Sequence, residues 1–334
     1  GKLFIVLCGS YMGFMEKEVL GAKSPLFGRR TGQLHMKPFN YKTSIKFMDG
    51  FSTQEKIMLY GAFGGTPLYL QQIRNNMSLE DNIKEGFLKN TAYLYEEPLF
   101  LLRQEVQEPG VYSAIIEAVA SGYTKANEIS TKIGEDTAKC LKYIKILCEL
   151  GIIYKETPFG EKDSSRKTLY GISDLMFRFW YRYVFTNRTL IETGANQAVW
   201  AKKIVPDYSN YMGLVFEKVC SDYLCMQNAN GNLPILFTNI GRWWGTDPKT
   251  RHQVEIDLIA CDGDDFIIGE CKWRKEKLDL SVLTELKEKA DIFNKKRKNT
   301  WFALFSKSGF TDAVIEEAKN TDKLILVDLQ QLTI

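Results

Sequence analysis

The chain has 334 residues, 45% of them hydrophobic and 25% charged, with a formal net charge of +3. This is the composition of an ordinary soluble protein, long enough for two or three domains, and too nearly neutral for charge alone to imply a nucleic-acid partner. Seven cysteines show no paired C-x-x-C spacing and there are only two histidines, His35 and His252, which argues against a disulfide framework and a structural zinc site. No apolar run approaches membrane-spanning length, so the expectation is a reduced, cytoplasmic compartment and no membrane partner.

Residues 3–8 form a short apolar run ending in Gly9-Ser10, the pattern of a buried parallel strand. It begins almost at Gly1, which suggests a piece of a longer protein. A helix-like segment, then Ser-Pro-Leu-Phe-Gly-Arg-Arg at 24–30 and a second strand-like run ending at Pro38-Phe39 follow. From Thr53 to about Gln104 the pattern is helical, broken by Phe-Gly-Gly-Thr-Pro at 63–67.

Residues 111–121 carry Val111, Ile115, Ile116 and Val119 at helical spacing, a short segment follows to Gly134, and Ala138, Leu141, Ile144 and Leu147 define a third helix that Gly151 ends. Two strand-like runs, 152–154 and 168–172, flank a polar turn. Three helices and a hairpin predict a winged helix-turn-helix, with Lys139, Lys142 and Lys145 on the exposed side of its third helix, where they could reach DNA. The competing reading is a winged helix that only joins domains. The aromatic, Arg-interleaved stretch 177–185 could stack on bases, but its helical spacing favours a packing seam.

Residues 209–228 keep an i, i+3, i+4, i+7 apolar stripe, with Glu217 at its border. A run at 233–237 and a Gly-Arg-Trp-Trp-Gly stretch at 241–245 precede the most informative segment, 254–273. There two apolar runs flank an acidic turn, a β-hairpin interrupted by Glu255, Asp257, Glu270 and Lys272. Buried charges are costly unless paired or bound to metal, and facing carboxylates beside a lysine suit a divalent cation and a polarised water. The bland alternative is a surface hairpin with a solvated Glu–Lys pair. A basic helix at 281–298 follows, with Lys287, Lys289, Lys295, Lys296, Arg297 and Lys298, then a strand at 301–305, a helix near 312–319 and a strand at 324–327.

Asp257, Glu270 and Lys272 on successive strands in an αβββαβ order resemble the PD-(D/E)xK nuclease superfamily; Ile256 stands where that motif has proline. The resemblance implies Asp257, Glu270 and Lys272 as catalytic residues, and Glu217, Asp257 and Glu270 as ligands for Mg²⁺ or Mn²⁺. Lys287 and Lys289 would be phosphate contacts. Together with Cys8-Gly9-Ser10, Pro25-Leu26-Phe27-Gly28-Arg29-Arg30 and Gly64-Gly65-Thr66-Pro67, the whole chain resembles the C-terminal portion of an archaeal-type AAA+ ATPase family whose last domain is nuclease-related. That likeness implies Ser10 in the sensor-1 region, Arg29 or Arg30 near the nucleotide-sensing arginines, and a Gly-Gly-x-Pro in the helical lid. It also implies DNA as partner and self-association through the ATPase part.

The expected organisation is multidomain α/β: an ATPase-core remnant at 1–50, a helical lid at 51–108, a winged helix at 109–175, connecting helices at 176–205 and a nuclease-like domain at 206–334. No G-x-x-x-x-G-K-[ST] occurs, so the convergent N–H groups and lysine that hold phosphates are missing. This chain is expected neither to bind nor to hydrolyse ATP measurably, ATP belonging to a full-length parent. The leading functional expectation is a metal-dependent nuclease acting on DNA. Its rivals are a nucleotide-switched DNA- or protein-binding regulator with an idle nuclease fold, and an ATPase fragment whose activity lies in residues not present.

Overall fold

The computed structural model describes residues 4–9, 19–163, 165, 167–293 and 296–333. The expected strand at 3–8 does not form over its described part. Phe4 to Gly9 take no regular structure, and Phe4, Ile5 and Val6 are 85%, 66% and 70% exposed. The run ending at Phe39 is likewise not a strand. An apolar run becomes a parallel strand only when paired, and among the described residues no strand pairs with it. Ser10 lies outside the described residues. Arg29 and Arg30 are exposed at the end of a turn.

After a short helix at Tyr41–Ser44, α1 (Thr53–Phe63) is the first long helix among the described residues. Ser52 and Glu55 cap it reciprocally, each side chain accepting from the other's backbone N–H. Gly64-Gly65 then lets the chain touch itself: Phe39 N–H donates to Gly65 C=O at 2.8 Å, and a Cβ on Gly65 would stand 1.9 Å from the Phe39 carbonyl oxygen. α2 (Leu79–Phe87) and α3 (Glu97–Glu105) complete this helical part.

Next come α4 (Pro109–Ala120), α5 (Ala126–Ile133), α6 (Thr137–Glu149) and the antiparallel pair β1 (Ile153–Glu156) and β2 (Leu169–Ile172), the order of a winged helix. Gly134 ends α5 in the left-handed conformation, and Asp136 caps α6 by accepting from the Ala138 and Lys139 N–H groups. Lys139, Lys142 and Lys145 are all exposed on α6, with Lys139 3.1 Å from Glu135 and Lys145 3.8 Å from Glu149.

α7 (Leu175–Phe179) runs on helically through Val184. Its Phe179, Trp180 and Tyr181 are fully buried, and the last two hydrogen-bond to Tyr95 C=O and the Ser113 hydroxyl. Rings so enclosed form a seam between the helical part and the winged helix, with no face left for a base. α8 (Val205–Ala229) buries Tyr208, Tyr211, Met212, Val215, Phe216, Val219 and Cys220, starting earlier than its stripe suggests because Pro206 sits in the first turn.

The sheet has the order β3 (Asn239–Thr246), β4 (Gln253–Asp262), β5 (Asp265–Lys272), β6 (Asn299–Ser306), β7 (Leu324–Asp328). β3, β4 and β5 are antiparallel; β5, β6 and β7 are parallel, joined through α9 (Leu280–Phe293) and α10 (Asp312–Lys319). The result is a multidomain α/β chain. One sheet face carries Leu258, Ala260, Ile267, Cys271 and Phe305 into the cluster of α8, and the other packs Ile256, Ile259, Ile268 and Leu304 on α9. α9 stops at Phe293, whose ring meets Trp243 and Phe266, so Lys296, Arg297 and Lys298 lie beyond it, contrary to the basic helix expected; Lys295 lies outside the described residues. There the chain must turn, Lys298 N–H bonding Asp264 C=O, to enter β6. No helix among the described residues is long and apolar enough to cross a membrane.

Candidate functional site

The site forms where β4 and β5 part. Their ladder runs from Asp262↔Asp265 to Leu258↔Gly269 and stops. On the other side of β4, two steps along β3 (Gly241 to Trp243) match three along β4 (Ile259 to Ile256), so β4 carries an extra residue at 257–258. Such a bulge bends the strand and re-aims a side chain. Asp257 turns into the gap, and its Oδ2 accepts the Cys271 N–H at 2.8 Å, standing in for the lost ladder partner.

Glu270 and Lys272 share the face of Ile268, toward α9. Glu270 is only 2% exposed. Lys289 of α9 donates to both its oxygens, at 2.8 and 2.9 Å, and Lys272 donates to one of them. A buried carboxylate held by two ammonium groups satisfies the requirement that interior charge be paired. Burial, and next the charge of Glu270, push the Asp257 carboxyl up to about 6, against the Cys271 N–H, Lys272 and Lys289. Burial alone would lower the Lys272 ammonium, but Glu270 outweighs it and holds that group above its ordinary value.

The structure thus brings together Asp257, Glu270, Lys272 and Lys289. Lys287, two residues from Lys289 and so on a different side of the helix, is exposed and lies 6.0 Å from the Phe302 ring centre. Glu217 does not join Glu270. It sits on α8, which covers the opposite face, and its carboxylate is 3.1 Å from Arg242 Nε. It shares a cavity with Asp257, and burial raises its carboxyl to about 8, Arg242 opposing and Asp257 adding to the rise. Arg242 of β3 also reaches Glu156 of β1 at 3.5 Å and Glu255 at 3.7 Å.

The hairpin β1–β2 docks here. Phe159 N–H donates to Arg242 C=O at 2.7 Å, and Trp244 Nε1 donates to Lys167 C=O at 3.1 Å. Sequence reading missed Arg242 and Glu156, and expected of Lys289 a phosphate contact rather than the pairing with Glu270 seen here. The available signals were an arginine inside an aromatic strand, and a lysine on the stripe Val282, Leu286, Ala290, Phe293.

Among the described residues, no group of three or more His, Cys, Asp or Glu side chains is gathered to hold a metal ion. The charge of Glu270 is felt at the Asp257 carboxyl, second to burial. Mg²⁺ is commonly held by one or two carboxylates and keeps several waters, so Asp257 and Glu270 are the pair that would have to hold one here, Glu270 being already engaged by Lys272 and Lys289.

Residues 180–290, from the aromatic seam to α9, match the family described as archaeal and bacterial proteins of unknown function, DUF234. This stretch contains every residue of the cluster. A Vibrio cholerae protein of known structure, VC1899, aligns at 13% identity over 73% of this chain and 55% of its own, with a TM-score of 0.27; the chain spans about half of it. The uncharacterized protein MJECL04 of Methanocaldococcus jannaschii is 32% identical over 336 residues, 99% of this chain and 72% of the relative. The chain therefore belongs to the family of that archaeal protein.

Proposed function

We propose that this chain is the C-terminal part of a AAA+ family protein and carries a metal-dependent nuclease site acting on DNA. The observation that supports this best is half-buried Asp257 at the split of two strands, its carboxyl raised in part by the charge of buried Glu270, which Lys272 and Lys289 hold. Asp257 and Glu270 would hold Mg²⁺ or Mn²⁺, which when bound lowers the pKa of a bound water and neutralises phosphate charge. Lys272, held above its ordinary pKa, stays an ammonium at neutral pH. It therefore acts as a donor toward the phosphate rather than as a base. Lys289 donates to both Glu270 oxygens and so orients that side chain. Glu217 acts from the far side of Asp257, through that residue's charge. Lys139, Lys142 and Lys145 offer a second contact with the DNA backbone, and the ATPase part would mediate self-association.

One observation favours a second reading, an idle nuclease fold in a DNA- or protein-binding regulator. Both Glu270 oxygens are already engaged by lysines, as in a purely structural ion-pair network. The test is divalent-dependent cleavage of a panel of DNA structures, with Lys272→Ala as control and calorimetry of Mg²⁺ and Mn²⁺ binding. Cleavage that survives Lys272→Ala, or no divalent binding at all, removes the nuclease reading. Charge reversal at Lys139, Lys142 and Lys145 should weaken DNA binding and flatten its salt dependence; unchanged binding moves the DNA surface elsewhere.

A further inference from the structure

Two loops leave the carboxyl ends of the parallel strands next to Lys272: 273–279 after β5 and 307–311 after β6. They are tied together along their length. Lys307 N–H donates to Lys272 C=O at 3.1 Å, the Ser308 hydroxyl to Arg274 C=O at 2.7 Å, Leu278 N–H to Gly309 C=O at 3.0 Å and Thr311 N–H to Leu278 C=O at 2.9 Å. Gly309 takes a φ of 79°, which lets the second loop turn sharply between these bonds. The two loops are therefore one fixed piece of surface.

That surface carries positive charge with little to balance it. Arg274, Lys275, Lys277 and Lys307 lie on it, and none of them forms an ion pair among the described residues. On the helices, by contrast, Lys84, Lys89, Lys139 and Lys145 each pair with an acid one turn away. Two acids share the first loop. Asp279 accepts from the Ser281 N–H and hydroxyl, and Glu276 is exposed. Lys307 stands 5.4 Å from the Trp273 ring centre; burial, and next the charge of Lys275, push its ammonium below its ordinary value, with Glu276 opposing. Cations close enough to repel one another destabilise the fold, and an anion laid across them relieves that repulsion.

Lys275 and Lys277 are exposed, so the surface is open rather than a closed pocket for one ion. Cations strung along two loops suit charges in a row, which a phosphate backbone supplies. An acidic protein segment also carries charges in a row, but the loops begin at Lys272, the donor assigned above to the phosphate.

We propose that these two loops hold backbone phosphates of DNA beside Lys272, through Arg274, Lys275, Lys277 and Lys307. The proposal rests on the nuclease reading for its ligand. It adds that the substrate is gripped by its backbone, without regard to base sequence.

The test uses the full chain and a labelled DNA duplex of mixed sequence, titrated by fluorescence anisotropy in chelator over a series of salt concentrations. Lys275→Gln, Lys277→Gln and Lys307→Gln together should weaken binding roughly tenfold or more and reduce the salt slope by about two to three. Lys275→Gln with Lys277→Gln should give part of that loss; both side chains are exposed, so this pair guards against a folding defect at Lys307. Lys42→Gln, Lys46→Gln and Lys89→Gln together make the same change in net charge on the helical part and should stay within about twofold. Unchanged binding in the loop variants, or equal losses in the two triple variants, overturns the proposal. So does a loop variant that loses binding to poly-glutamate but not to DNA, which would assign the loops to an acidic protein. Weakened DNA binding as expected, with no divalent-dependent cleavage by the unaltered chain, removes the nuclease reading and leaves the loops as a DNA-binding surface.

Discussion

Replacing Asp257 with asparagine should stabilise the metal-free protein at neutral pH while abolishing its response to divalent ions. Burial and the charge of Glu270 raise the Asp257 carboxyl from 3.8 to about 6, so the folded state keeps this proton to a higher pH than the unfolded chain does. Below 3.8 both states are neutral and no stability is lost. Between 3.8 and about 6 stability falls as pH rises, and above that the full penalty applies. Each pH unit in this window is worth ~1.4 kcal/mol, so the ionised side chain costs the fold on the order of 3 kcal/mol. An amide at this position escapes the charge penalty and keeps an acceptor for the Cys271 N–H. Urea unfolding in chelator at neutral pH should find Asp257→Asn roughly 1–3 kcal/mol more stable than the unaltered chain, with the gap closing as the pH approaches 3.8. Millimolar Mg²⁺ or Mn²⁺ should raise the midpoint of the unaltered chain alone. A variant less stable than its parent in chelator, or one that still responds to the ion, refutes the reasoning.

Arg242→Ala removes the cation beside the Glu156 and Glu217 carboxylates, and should cost about 3 kcal/mol above pH 8, where Glu217 is ionised, and less at acid pH, where both are protonated. Urea unfolding at two pH values reads this; a pH-independent loss would point to packing instead. Gly65→Ala drives a methyl to 1.9 Å from the Phe39 carbonyl oxygen, and a thermal melt should record a loss of at least about 2 kcal/mol. An unchanged melting temperature would mean that the Phe39 segment does not lie there. Lys289→Met should depress divalent-dependent cleavage at least tenfold, while Lys287→Met, exposed above Phe302, should leave it within twofold; equal effects of the two would detach cleavage from Glu270.

Local pattern sufficed wherever an element's identity depends on its own residues. The apolar stripes of α4, α6 and α8, the glycines that end α5 and α6, and the acidic turn between β4 and β5 could all be read along the chain, because helical and strand periods decide which side chains face inward. So could the candidate trio, since Asp257, Glu270 and Lys272 interrupt strands that are otherwise apolar. The exposed run Phe4 to Leu7 shows the limit of that method: a strand is made by its neighbours, and no composition reveals whether they are there. The same limit hid the parting of β4 from β5. One extra residue at 257–258 aims Asp257 into the gap, and register is a property of two strands. It also hid which charges would meet. Lys289 reaches Glu270 across 19 positions and Arg242 reaches Glu156 across 86, distances that only the packing of α9 and of the β1–β2 hairpin on the sheet brings down to contact.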